Sequence, residues 1–114
     1  LKENQVLMNI STRDFSFISE YHISQIFNLL AKYKVKVSLM QNSAISLALC
    51  LEDKFGKIDA VHEELNQNFN TDLVKNVSLY TVRNANLDEL SKIYENKKVL
   101  LEQISKKTVQ IVTN

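Results

Sequence analysis

Residues 35–51 constrain the chain most, because both their arms have a period of two and because they recur. Val35, Val37 and Leu39 alternate with Lys36, Ser38 and Met40, and Ile45, Leu47, Leu49 and Leu51 alternate with Ser46, Ala48 and Cys50. A period of two puts every second side chain on one face, as in a strand with one side on a core. Asn42 and Ser43 between the arms suit a tight reversal, so the stretch reads as a β-hairpin with a polar tip. The pattern Val37-x-Leu39-x-Gln41-x-Ser43-x-x-Ser46-Leu47-x-Leu49 returns as Val99-x-Leu101-x-Gln103-x-Ser105-x-x-Thr108-Val109-x-Ile111. A repeat in step at every position argues that one supersecondary unit is used twice.

At 114 residues the chain suits one compact domain or two very small modules. With 45% hydrophobic and 24% charged residues it can build a core. No apolar run approaches the roughly 20 residues that span a bilayer, so no membrane segment is expected. A net charge of +1 gives no electrostatic case for nucleic acid or an anionic membrane surface. Cys50 is the one cysteine, which excludes a disulfide framework and a thiolate metal site; it reads as a small strand residue. With no bridge and no visible signal peptide, a reducing, cytoplasmic compartment is expected. Gly56 stands alone, so a glycine-rich phosphate loop is excluded. The chain opens on Leu1 rather than Met, and it is expected to be a piece of a longer protein.

Taken in order, Val6, Met8 and Ile10 alternate with Leu7 and Asn9 as a first strand. A polar loop with Phe15 and Phe17 follows. Ser19 reads as a helix N-cap, with Ile18 and Ile23 at staple positions and Glu20 suiting the helix dipole. Ile23, Ile26, Phe27, Leu30 and Tyr33 predict an amphipathic helix over 20–33. Beyond the hairpin, Ile58, Val61, His62, Leu65 and Phe69 form a second helical stripe, which Asn70-Thr71-Asp72 is expected to close. Residues 73–76 read as a short edge strand and 77–82 as another strand. Asn86 and Glu89 have capping-box spacing ahead of a third helix on Leu87, Leu90 and Ile93 or Tyr94. The second hairpin spans 99–104 and 108–113, with Ser105-Lys106-Lys107 at its tip.

The fold class expected is α+β. The first six elements have the ferredoxin-like βαββαβ order, and the last four repeat its first half as a truncated βαββ unit. Residues 1–76 are the expected first domain. Residues 77–114 are a partial second module that must be covered by the first or by a partner chain, since a bare apolar sheet face is not stable alone.

The passage Ile26-Phe27-Asn28-Leu29-Leu30-Ala31-Lys32-Tyr33-Lys34-Val35-Lys36-Val37-Ser38-Leu39 resembles the "VFxxLxxxxIxVxLI" helix–strand run of aspartate kinase regulatory regions, which carry tandem ACT domains. Asn42-Ser43-Ala44-Ile45-Ser46-Leu47-Ala48-Leu49 sits where that family has "TSExSVSLT". Residues 77–82 resemble the opening strand of the second ACT domain and residues 97–113 its hairpin. The resemblance implies a non-catalytic regulatory region C-terminal to an amino-acid kinase domain, the enzyme that phosphorylates the aspartate side chain with ATP. It implies an end-product amino acid, lysine or threonine, as effector, feedback inhibition, and a homodimer through ACT modules. Catalytic residues and cofactors are expected to be absent from this chain, with ATP and Mg confined to the kinase domain.

An amino acid presents a carboxylate, an ammonium and a side chain. A helix N-terminus suits the carboxylate, and Asp14 or Glu20 would suit the ammonium. Carried over by position, the effector contacts are Ser16, Ile18, Ser19, His22 and Ile23 in the loop and helix start, and Val37, Ser38, Asn42 and Ser43 on the hairpin. Two departures stand out: Tyr21 occupies the place of a glycine before the helix, and Ala44 replaces the acid of "TSE". They motivate the alternative of an ACT-type dimerisation module without an effector. An RNA-binding sheet would want exposed aromatics and a basic face, which this balanced chain lacks. A small enzyme would want a nucleophile–base pair, and none is found. His62, on an apolar stripe, reads as a packed histidine rather than a metal ligand.

Overall fold

The alternation at residues 6–10 marks only the middle of a longer strand. The computed structural model describes residues 1–114, except for the side chain of Ala85. Strand β1 runs Lys2–Thr12, helix α1 Glu20–Lys32, β2 Lys36–Asn42, β3 Ser46–Glu52, helix α2 Ile58–Leu65, β4 Phe69–Val82, helix α3 Leu87–Asn96, β5 Val99–Ser105 and β6 Thr108–Thr113. Contacts divide the chain into two compact units: Val6–Val74, and Leu1–Gln5 together with Lys75–Asn114.

The first unit has the strand order β2-β3-β1-β4, the ferredoxin-like arrangement read from the sequence. Strands β1 and β3 are antiparallel, with Val6 opposite Leu51, Met8 opposite Leu49 and Ile10 opposite Leu47. All six are buried, and they form one core with Ile26 and Leu30 of α1 and Ile58, Val61 and Leu65 of α2. Fully burying such a side chain contributes about 1.5–3 kcal/mol, so these few pairs fix the register. A slip by one residue would turn the apolar set away from both helices.

Two local readings of the sequence are corrected. Phe69 does not extend the α2 stripe, and Asn70-Thr71-Asp72 does not end a helix. The helix stops at Leu65 with Asn66 as its C-cap, and β4 then runs unbroken to Val82. Phe69 reaches the same core as the first residue of that strand. Propensity misled here because Asn and Asp favour turns, yet Asn70 and Asp72 are exposed strand positions.

The second unit orders its strands β1-β4-β6-β5, with Leu1–Gln5 as the β1 contribution. Leu90 and Ile93 of α3 pack with Val82, Val109 and Ile111 on one face of the sheet. Asn86 caps α3 as read from the sequence, its side chain accepting from the N–H groups of Asp88 and Glu89 at 3.1 and 3.2 Å. The repeat is structural as well as sequential. The pairing of β2 with β3 shifts between Val37 and Leu39, and that of β5 with β6 between Val99 and Leu101. The two bulges therefore fall at matching positions, Ser38 and Leu100.

Candidate functional site

Everything of interest at the site follows from how the chain passes from β1 into α1. Thr12, at the end of β1, is buried, and its hydroxyl donates to the Ser16 carbonyl at 2.9 Å. The Phe15 N–H donates to the Thr12 carbonyl at 3.2 Å, with Phe15 in the left-handed region at φ 57. The Ser16 N–H donates to Asp14 Oδ1 at 3.1 Å, closing an Asx turn. Hydrogen bonds from the Ser16 side chain and backbone and from Thr12 hold the Asp14 carboxyl below its ordinary value. Asp14 is thus an exposed, fixed anion on the loop.

Helix α1 then begins as the sequence indicated, with one change of chemistry. Ser19 Oγ accepts from the His22 N–H at 3.3 Å, and the Ser19 N–H donates to His22 Nδ1 at 3.1 Å. This is a capping box in which histidine takes the place of the usual Glu or Gln. Because Nδ1 accepts, the neutral ring carries its proton on Nε2. The ring also meets Phe69 edge-on, with centroids 5.7 Å apart. In any helix the first-turn N–H groups lack partners within the helix; here they belong to Glu20 and Tyr21.

A cavity of about 490 Å³ lies against this helix start. Its walls include Arg13, Asp14 and Ser16 from the loop, Tyr21 and His22 from α1, and Phe69 from β4. The Arg13 guanidinium donates to the Asn66 carbonyl, tying the loop to the turn after α2. The cavity thus offers one cation, one anion and aromatic surface, which matches what a small zwitterion presents.

Of the nine residues named from the sequence, Ser16 and His22 line this cavity. Ser19 fixes His22 from beneath. Ile18 packs against the core, half-buried, as does Val37, and Ile23 is half-buried in the first turn, its N–H donating to the Ser19 carbonyl at 3.1 Å. The loop is joined to the hairpin tip by a backbone bond from the Ile18 N–H to the Ala44 carbonyl at 3.0 Å, and Val37, Ser38, Asn42 and Ser43 are not among the residues that line the cavity. Across the tip, the Ser43 N–H donates to the Ser46 carbonyl at 2.9 Å, and the Ser46 N–H donates to Ser43 Oγ at 3.2 Å. Asn42 and Ser43 are exposed, whereas Ser38 is half-buried at the β2 bulge. Arg13, Tyr21, Gln25, Asn68 and Phe69 also line the cavity, and sequence spacing did not single them out as site residues. The turn residues Asn66 to Asn68, between two apolar segments, were the available signal for that wall.

His62 is packed, as expected, with Nε2 3.2 Å from both the Thr71 carbonyl and Asn66 Nδ2. Among the described residues no group of three or more His, Cys, Asp or Glu is placed to hold a metal ion. No helix among them is long and apolar enough to cross a membrane.

No protein-family model matches the sequence, and no curated protein matches it either. Solved structures do. Clostridium acetobutylicum aspartate kinase superposes with a TM-score of 0.78 at 23% identity, over 99% of this chain and 29% of that one. Escherichia coli aspartokinase III, in complex with lysine and aspartate in its T-state, gives 0.72 at 16%, over 97% and 28%. The ligand-free regulatory subunit of Thermus thermophilus aspartate kinase gives 0.63 at 10%, over 99% and 85%. The chain thus spans less than a third of the two whole kinases but most of the separate regulatory subunit. Its fold is that of the regulatory part of aspartokinases.

Proposed function

We propose that this chain is the non-catalytic regulatory region of an aspartate kinase and that it binds an end-product amino acid, lysine or threonine, to inhibit the attached kinase domain. The observation that carries the reading is the Ile18–Ala44 hydrogen bond, which holds the β1–α1 loop against the hairpin tip beside a capped helix start. On this reading, the helix N–H groups, the Asp14 carboxylate and the tip hydroxyls all serve one bound amino acid. The helix start receives the effector carboxylate, Asp14 the ammonium, and Val37, Ser38, Asn42 and Ser43 the remainder. The lysine held in complex by the Escherichia coli enzyme supports an amino acid as the ligand class.

The partner is a second copy. Strand β2 ends the strand order of its unit, and outer strands of two copies can pair into one sheet. An effector bound beside that seam favours one arrangement of the modules. The kinase domain then feels a population shift no larger than the effector's differential affinity for the two arrangements. The compartment is the cytoplasm, and ATP and Mg act only in the kinase domain.

The test is titration calorimetry of the chain with lysine, threonine and methionine, each at millimolar concentration, alongside sedimentation velocity. Saturable heat with lysine or threonine and a dimer are expected. Heat with none of the three would overturn sensing and leave the assembly reading. A monomer at every concentration would overturn both.

A further inference from the structure

We infer that the cavity between the end of α1 and the β3–α2 turn binds a small aromatic anion, a ring that carries a phosphate monoester. The cavity measures about 300 Å³ and is lined by Lys32, Tyr33 and Lys34 where α1 ends and by Phe55 and Lys57 ahead of α2. Three cations and two aromatic rings line it, and no acid does. All of these residues belong to the first compact unit. The amino-acid site is at the other end of α1, about 20 Å away along a 13-residue helix.

Three of these residues stand where stability alone would not put them. Lys34 is in the left-handed region at φ 56, which strains any side chain. Lys57 is the N-cap of α2 and makes no side-chain cap bond, and the positive end of a helix dipole disfavours a cation. Asp53 does the capping instead: its Oδ1 accepts from the Lys57 N–H at 2.9 Å and its Oδ2 from the Ile58 N–H at 2.8 Å. Phe55, in the turn between, is 60% exposed. Lys32 is already engaged, with Nζ 5.2 Å from the Tyr33 ring centroid and 3.6 Å from Glu64 Oε1. Lys34 and Lys57 are exposed and make no salt bridge among the described residues. Local costs on separate elements that converge on one cavity are the mark of a site. The lining sets the ligand class. A phosphate monoester carries about −1.5 to −2 at neutral pH, which suits two free ammonium groups better than the single charge of a carboxylate. An aromatic ring can stack on Phe55 and cover apolar surface that otherwise faces water. Exposed lysines alone hold an anion weakly, so selectivity rests on ring and phosphate together.

The experiment is a two-dimensional NMR titration of the uniformly ¹⁵N-labelled chain with adenosine 5′-monophosphate and with phenyl phosphate. Inorganic phosphate and adenosine are the controls. Saturable shifts are expected at Tyr33, Lys34, Phe55 and Lys57 with at least one aromatic phosphate, and binding of either control should be about threefold weaker or more. Phe55→Ala and Lys57→Gln should each weaken binding about two- to fivefold, and added salt should weaken it further. Lys34→Gly should weaken binding by a similar factor while its melting temperature rises, so the loss is not one of folding. Absence of saturable shifts with both aromatic phosphates, equal binding of either control, or undiminished binding in Phe55→Ala or Lys34→Gly would overturn the site. The proposal does not rest on the amino-acid reading: Ser43→Ala, which tests that reading, should leave these affinities unchanged.

Discussion

The backbone N–H of Ile18 donates to the carbonyl of Ala44 across 3.0 Å, and this bond ties the loop ahead of α1 to the tip of the first hairpin. It is made by backbone alone, while Ser43 Oγ is engaged within the tip by Ser46. Asn42→Ala and Ser43→Ala should each weaken effector binding about three- to tenfold, the range for one neutral hydrogen bond. Both positions are exposed, so the melting temperature should hardly move. Calorimetric titration paired with a thermal melt checks both halves. Unchanged affinity in both variants would remove the hairpin from the site.

The Ser19–His22 capping box makes a second prediction. Ser19→Ala removes the acceptor for the His22 N–H and should cost about 1 kcal/mol in a denaturant titration. His22→Glu keeps the reciprocal bond to the Ser19 N–H and should fold with nearly unchanged stability. It should nevertheless lose effector affinity, because a carboxylate would then face the effector's own. Equal losses of stability in the two variants would contradict the assignment.

Helix α1 ends in a Schellman motif. The Val35 N–H donates to the Leu30 carbonyl at 2.9 Å and the Lys34 N–H to the Ala31 carbonyl at 3.1 Å. Lys34 therefore sits at the left-handed position, with φ 56, where glycine is the common choice. A side chain there costs roughly 1–2 kcal/mol, part of which glycine gives back through the entropy of the unfolded chain. Lys34→Gly should stabilise the chain by about 0.5–1 kcal/mol, read as a higher denaturant midpoint at unchanged slope.

Asp14 sets the expected pH response. Its carboxyl is held below its ordinary value by Ser16 and Thr12. A depressed folded-state value means that its contribution is present above the unfolded value and is lost as pH falls through the folded one. The Asp14 anion, proposed to meet the effector ammonium, therefore persists through the neutral and mildly acidic range. Effector affinity should show no loss traceable to Asp14 between about pH 5 and 8, whereas Asp14→Asn should weaken binding across that whole range. A midpoint near pH 6 that disappears in Asp14→Asn would contradict this.

Much of the fold was legible because its signals are local. The alternation through Leu47, Leu49 and Leu51 identified β3, the stripe through Ile26 and Leu30 identified α1, and the in-step repeat identified a hairpin used twice, whose matching bulges at Ser38 and Leu100 the structure adds. What was missed lacks such a signal. Lys2, Glu3 and Asn4 are polar, and Asn4 has a φ of 55, which interrupts the alternation that would have extended β1 to its true start. Asn76, at φ 58, lies inside the continuous strand β4, where the exposed polar pair Lys75-Asn76 breaks the alternation in sequence and reads as a boundary between two strands. Asparagine tolerates this conformation better than other side chains. The loop and helix start of the candidate site were legible through Ser19. Its far wall at Asn68 and Phe69 was not, because nearness across elements leaves no trace in spacing along the chain.

The central claim is that an amino acid is held between the start of α1 and the first hairpin. A ¹⁵N-resolved NMR titration of the chain with lysine, and separately with threonine, reads the location directly. The account predicts saturable shifts clustered at residues 14–23 and 37–43 with at least one of the two. Shifts confined to residues outside both stretches, or none with either amino acid, would contradict it.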